Sequence, residues 1–250
     1  MQYEDLSVQR LYPLNGELNE HSTFKLPGYH QLLCLTAENE MTRCGRDIAN
    51  TIAADYAWAL TSMTVDVVKP LRDSLPVTAR TWLSGIKLPY VRREVEMCRE
   101  DGTPAVMASL FSVPFSVTTK GIIRDFGTGE IDIYDRLERV LVPDAQKHMR
   151  LGSEGWVNHS TRTVMPSDID ALGHMNNCRY GALIYDALTA EERLLFNAPF
   201  RYVIDFRHQL APDAQVVIEK LVEGDTITVR GTDASTGKLS FAGRVSPLEV

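Results

Sequence analysis

Residues 202–245 read YVIDFRHQLAPDAQVVIEKLVEGDTITVRGTDASTGKLSFAGRV. The stretch divides into four runs, 202–210, 214–222, 226–232 and 238–245, in which apolar and polar positions alternate. Alternation with period two, carried by Val, Ile, Thr and Phe, puts one side of each run against a core and the other toward water. That is the pattern of antiparallel strands. Ser235-Thr236-Gly237 supplies the turn of a hairpin between the last two runs.

Upstream the pattern occurs again, at 63–70, 75–84, 91–99 and 105–117, with Asp101-Gly102 as the matching hairpin turn. The two sets align at an offset of 139 residues: Val65-Asp66 falls on Ile204-Asp205, Leu71 on Leu210 and Val77 on Val216. A helix precedes each set. Tyr180, Leu183, Ile184, Ala187 and Leu188 share one face of a helix expected over about 176–196, and a shorter, less regular one is expected over about 42–56. Strand-like pieces at 29–38 and 155–165 lead into them. Residues 119–152 lose the alternation and read as a connector, with 144–150 a short helix. The expected fold class is α+β: two units of one design at 1–125 and 153–250, joined by a linker at 126–152. In each, a long antiparallel sheet curls around a central helix, which buries the helix stripe and one face of every strand.

Composition narrows the function. Among 250 residues, 26 Lys and Arg stand against 33 Asp and Glu, a net charge of −7. So acidic a chain lacks the basic field that nucleic acid or an anionic membrane surface attracts. Its apolar runs are far shorter than the ~20 residues that span a bilayer, and the N-terminus has neither the basic nor the apolar region of a signal peptide. Cys34, Cys44, Cys98 and Cys178 form no CxxC or CxxH pair. They read as reduced thiols in a cytoplasmic protein with no metal or cofactor.

The candidate chemistry lies just before the second helix, where residues 166–180 read PSDIDALGHMNNCRY. Asp168 and Asp170 sit in a loop ahead of Gly173-His174 and Asn176-Asn177. Unpaired N–H groups at a helix start can hold the oxyanion of an attacked carbonyl. A carboxylate beside them can deprotonate a water, and Gly173 allows close backbone approach. A thioester suits such a site because its thiolate leaves without a Ser or Cys nucleophile. The same residues also admit a plainer reading, in which Asn176 or Asn177 caps the helix and the histidine is structural.

Asp-x-Asp-x-x-Gly-His-x-Asn-Asn-x-x-Tyr at the start of a central helix resembles the signature of hot-dog thioesterases. With two such units, and the tract WALTSMTVDV from Trp58, the chain resembles the acyl-ACP thioesterases of plants and bacteria over about 25–245. The resemblance implies two tandem hot-dog domains with the working site in the second. It implies that fatty acyl-ACP is hydrolysed to free fatty acid in fatty acid biosynthesis, with acyl carrier protein as partner. Asp170 then matches the catalytic aspartate and His174 the catalytic histidine, while Asn177 and Tyr180 match positions at the helix start.

Two departures stand out. The plant enzymes carry Asn where this chain has Leu172, and Glu then Cys where it has Gln209 and Leu210. Their network of side chains is therefore not expected here. Asp170 is expected to act as base or nucleophile, with His174 or the amides near Gly173 and Asn176 polarising the carbonyl. Gln209 is expected to hold the water, and Asp168 to fix the loop. An acyl slot is expected from Trp58, Leu60, Met63 and Trp82, and a carrier-docking patch from Arg179, Arg201, Arg207 and Arg92-Arg93. Hydrolysis of acyl-CoA and acyl binding without catalysis stand as alternatives, and a homodimer through sheet edges is left open.

Overall fold

The computed structural model describes residues 2–249. In chain order its elements are β1 (Gln9–Leu11), α1 (Leu26–Arg43), α2 (Ile48–Ala53), β2 (Ala57–Val67), β3 (Val77–Lys87), β4 (Tyr90–Arg99) and β5 (Pro104–Phe115), followed by β6 (Val157–Thr163), α3 (Tyr180–Asp186), β7 (Phe200–Phe206), β8 (Gln215–Glu223), β9 (Thr226–Asp233) and β10 (Leu239–Pro247).

The strands make one ten-stranded sheet in the order β1-β3-β4-β5-β2-β7-β10-β9-β8-β6. Read from the centre outward, each half repeats the other. The halves meet at the antiparallel pair of β2 and β7, where Thr64 lies opposite Val203, its own counterpart at the 139-residue offset. A strand that pairs with its equivalent at the equivalent residue sits on a two-fold axis, so the offset read from sequence and the register agree. Each half curls around its helix, and Leu26, Tyr29 and Leu33 of α1 share one core with Met63, Val65, Val95, Tyr180, Ile184, Ile204 and Phe241. These are two tandem hot-dog units.

Both helices depart from expectation. Residues 29–38 are not a strand; they lie inside α1, and β1 takes the edge position instead. The helix expected over 42–56 is only the end of α1 followed by α2, which is capped by Asp47, whose carboxylate accepts from Ala49 N and Asn50 N at 2.9 and 3.1 Å. In the second half, α3 stops at Asp186. Thr189 N donates to Glu192 Oε2 at 2.7 Å and Glu192 N to Thr189 Oγ1 at 3.2 Å, a reciprocal capping box that restarts the chain as a 3₁₀ turn over Glu192–Asn197.

Residues 144–150 are not helical either. They belong to a strap that crosses the sheet on the face away from the helices; apart from a turn in which Ala145 N donates to Val142 O at 3.1 Å, its backbone bonds to sheet side chains. Trp82 Nε1 donates to Arg139 O at 2.8 Å, Leu141 N to Glu94 Oε2 at 3.1 Å, Ser62 Oγ to Gln146 O at 2.9 Å and Met149 N to Asp205 Oδ2 at 3.0 Å. Glu94, Ser62 and Asp205 are fully buried beneath it, each with the partner that burial of a polar group demands.

Candidate active site

The loop between β6 and α3 is a small folded object. Asp168 Oδ2 accepts from Met165 N at 2.9 Å, closing a 3₁₀ turn over Pro166–Asp168. Ile169 and Met175 then pair antiparallel around a tight tip: Asp170 N donates to His174 O and Gly173 N to Asp170 O, both at 3.0 Å. Gly173 has φ +82°, the left-handed region where glycine is favoured. Met175 N donates to Leu210 O at 2.9 Å and anchors the tip to the segment after β7.

Within the tip, Asp170 Oδ1 accepts from Leu172 N at 2.8 Å, while Oδ2 has only a 3.5 Å contact from Asn176 Nδ2. His174 Nδ1 stands 3.9 Å from Asp170 Oδ1, and both side chains are about one quarter exposed, at 24% and 22%. The carboxylate is thus fixed through one oxygen and available through the other. Leu172 serves through its backbone N–H, so the missing asparagine side chain takes nothing from the turn. Asn176 caps the helix start by accepting from Cys178 N at 2.9 Å, so the plainer reading of that residue holds.

The other expected residues are placed as follows. Asn177 turns to the opposite side, its Oδ1 accepting from Cys178 Sγ at 3.3 Å and Cys34 Sγ at 3.7 Å. Tyr180 is buried edge-on between Phe206 and Phe241, with centroids 5.3 and 5.1 Å away. Burial pushes its phenol up to about 12, against the opposing pull of Ser240 and the Leu210 backbone. Gln209 lies exposed in the segment after β7, and its side chain makes no hydrogen bond among the described residues. Trp58 packs with Tyr56 and Phe126, at 6.4 and 5.3 Å, in a separate cluster at the C-terminal end of α1. The fold therefore gathers Asp170, Gly173, His174 and Asn176, sets Asn177 and Tyr180 behind them, and leaves Gln209 and Trp58 outside.

Two further expectations need correction. Met63 and Leu60 reach the helix-facing core, but Trp82 belongs to the opposite face, where it packs edge-on against Tyr3 at 6.0 Å and bonds to the strap. Of the arginines, Arg93 is half-buried and paired with the buried Glu40. Arg92, Arg201 and Arg207 are engaged with Glu94, Asp66 and Asp205. Arg179 and Arg207 remain exposed; at the loop, Arg179 donates to Ser167 O at 2.9 Å and stands 3.8 Å from Asp168 Oδ1. It lines an open groove of about 400 Å³ with Arg162, Met165, Asp168, Met175 and Leu183. Asp170 and His174 do not line that groove.

Residues 156–241 match the family model of the acyl-ACP thioesterase C-terminal domain. That stretch of 156–241 is what is similar to the family's C-terminal domain. Across the whole chain the fold is similar to an acyl-ACP thioesterase from Bacteroides thetaiotaomicron, with TM-score 0.84 and 17% identity over 98% of this chain and 99% of that one. It is also similar to the 12:0-ACP thioesterase from Umbellularia californica, with TM-score 0.81 and 15% identity over 96% of each chain. Likeness at such identities establishes the fold. No curated protein matches the chain by sequence. Among the described residues no helix is long and apolar enough to cross a membrane.

In the region that matches this family model, then, the motif loop is a hairpin tip with one carboxylate oxygen pinned by a backbone N–H and the other held only by the Asn176 side chain at 3.5 Å. Sequence reasoning missed what lies behind it. His30 and Cys34 of α1 approach Cys178 and Asn177 at the start of α3. Their four-residue spacing had meaning only once 29–38 was known to be helical.

Proposed function

We propose that the protein hydrolyses fatty acyl-ACP to free fatty acid and holo-ACP, with Asp170 as general base. What carries the reading is the Oδ2 of Asp170, bonded to no backbone group and met only by Asn176 Nδ2 at 3.5 Å, at the hairpin tip beside His174, inside the region that matches the thioesterase domain. Asp170 takes a proton from water as the water oxygen bonds to the thioester carbonyl carbon. His174 holds the oxyanion; the amides of Asp170, Leu172, Gly173, Met175 and Asn176 are already bonded within and behind the loop. The C–S bond then breaks, and the proton on Asp170 passes to the departing thiolate. Asp168 holds the loop through Met165 N. Gln209, exposed beside Leu210, which is bonded to the loop, is left outside the step. Arg179, at the groove, meets the acidic carrier.

Single-turnover hydrolysis of a panel of acyl-ACPs and matching acyl-CoAs tests this. Wild type is expected to release fatty acid from ACP faster than from CoA. Asp170→Asn is expected to lose about 10²–10⁴-fold, the usual worth of a general base, at unchanged Tm. Equal rates on both carriers would favour the acyl-CoA reading. Undiminished turnover in Asp170→Asn would remove Asp170 from the mechanism.

A further inference from the structure

We infer that His30, Cys34, Cys178 and Asn177 form a binding site for one soft divalent metal ion of the zinc(II) class. The ligand atoms of the histidine and the two cysteines all lie within 4.8 Å of one another. Zinc(II) bonds sulfur at ~2.3 Å and nitrogen at ~2.0–2.1 Å, so a tetrahedral set has edges of about 3.7 Å. Closing on a metal therefore requires shifts of ~1 Å or less. Asn177 Oδ1, 3.3 Å from one sulfur and 3.7 Å from the other, stands at the fourth corner.

One orphaned group favours a ligand here. His30 is fully buried, and neither ring nitrogen has a hydrogen-bond partner among the described residues. A buried imidazole without a partner is costly, and a metal bond satisfies one nitrogen directly. A disulfide between Cys34 and Cys178 is the competing use of the sulfurs, but it leaves His30 unpartnered. Binding releases the two thiol protons, and one doubly charged cation with two thiolates adds no net charge to the interior.

The site joins the two halves of the molecule. His30 and Cys34 lie one helical turn apart on α1, while Asn177 and Cys178 open the helix that follows the candidate catalytic loop. Gly181 makes the approach: a Cβ there would lie 3.2 Å from Pro27 Cα and 3.3 Å from His30 Nδ1. Metal occupancy braces the loop from behind and takes no part in the hydrolytic step.

The test is a cobalt(II) titration of the untagged full chain, reduced and stripped with chelator, without oxygen. One equivalent is expected to bind, with tetrahedral ligand-field bands and thiolate-to-cobalt charge-transfer absorption, and zinc is expected to displace it and raise Tm. Cys34→Ser and Cys178→Ser should each weaken the charge-transfer band and lower affinity by more than the ~10–100-fold that losing an outer-shell partner costs. Cys44→Ser and Cys98→Ser should change neither. Absence of stoichiometric cobalt binding by folded wild type overturns the site, as does a band that survives in Cys34→Ser/Cys178→Ser. Peptide mapping that finds a Cys34–Cys178 disulfide in the protein as purified overturns it too. The wild-type titration needs no variant, so a variant that fails to fold leaves the test standing.

Discussion

Asp170 has two tasks at once, and its two oxygens divide them. Oδ1 holds the turn through Leu172 N, and Oδ2 is left for chemistry. The division predicts different behaviour for two substitutions. Asp170→Asn keeps an acceptor for Leu172 N and should lose activity alone. Asp170→Ala should lose the same activity and also about 1 kcal/mol of stability, the usual worth of a hydrogen bond in a turn, read by urea unfolding. If the two variants unfold at the same urea concentration, Oδ1 is not structural. Gly173→Ala tests the tip from its backbone: an alanine at φ +82° should cost about 1–2 kcal/mol, and a drop in turnover should accompany it. At this scale the sequence was readable where the chemistry is local. The Asn176 cap and the Gly173 turn depend only on their neighbours. The facing of Asn177 toward Cys34 depends on a helix about 140 residues away in sequence, and no local signal carries it.

Among the elements, eight of the ten strands announced themselves by alternation, because each has one face on a core and one face elsewhere. Helix α1 did not, and its surroundings explain why. Its buried residues include His30, Thr36 and Glu40 beside Leu26, Tyr29 and Leu33, so polar side chains fall on the very stripe that should read as apolar. Glu40 is buried because Arg93 and Asp135 N meet it there, an arrangement no periodicity shows. The end of α3 was legible in principle, since Thr189 and Glu192 form a capping box. Thr189→Ala should therefore cost ~1 kcal/mol, measured by chemical denaturation. Where α1 packs on α3 at Gly181, an added Cβ would meet the Pro27 backbone at 3.2 Å and the buried His30 ring at 3.3 Å. Gly181→Val should push the helices apart and cost ~1–3 kcal/mol. A Tm equal to wild type would show that the helices yield freely.

The whole molecule is a two-fold repeat with its symmetry broken where the strap lies. Asp66 and Asp205 are equivalent positions of the 139-residue repeat, and both are buried on the strap's face. Asp66 is met across the sheet by Arg201, with Arg201 Nη2 donating to Asp66 Oδ2 at 2.8 Å. The equivalent partner of Asp205 is Ser62, too short to reach, and the strap fills the vacancy with Met149 N while Arg207 Nε donates at 2.9 Å. One lost arginine thus gives the connector its docking point, which a comparison of half with half cannot reveal until the register is known. Arg201 also holds Asp144 of the strap. Removing it in Arg201→Met leaves Asp66 buried and unpaired and should cost about 2–4 kcal/mol, near the lower part of the range for broken buried pairs because the arginine is partly exposed. Asp66→Asn in the same chain should recover part of that loss, and strict additivity of the two changes would deny the pairing. The pH dependence has a definite sign. The hydrogen bond from Arg201 holds the Asp144 carboxyl below its ordinary value. Its contribution is therefore present above the ordinary aspartate range near ~3.9 and is lost as pH falls through the lowered folded value. In Arg201→Met that part of the acid-side fall in stability should disappear, so the denaturation midpoints of variant and wild type should converge as the pH is lowered from 5 toward 3.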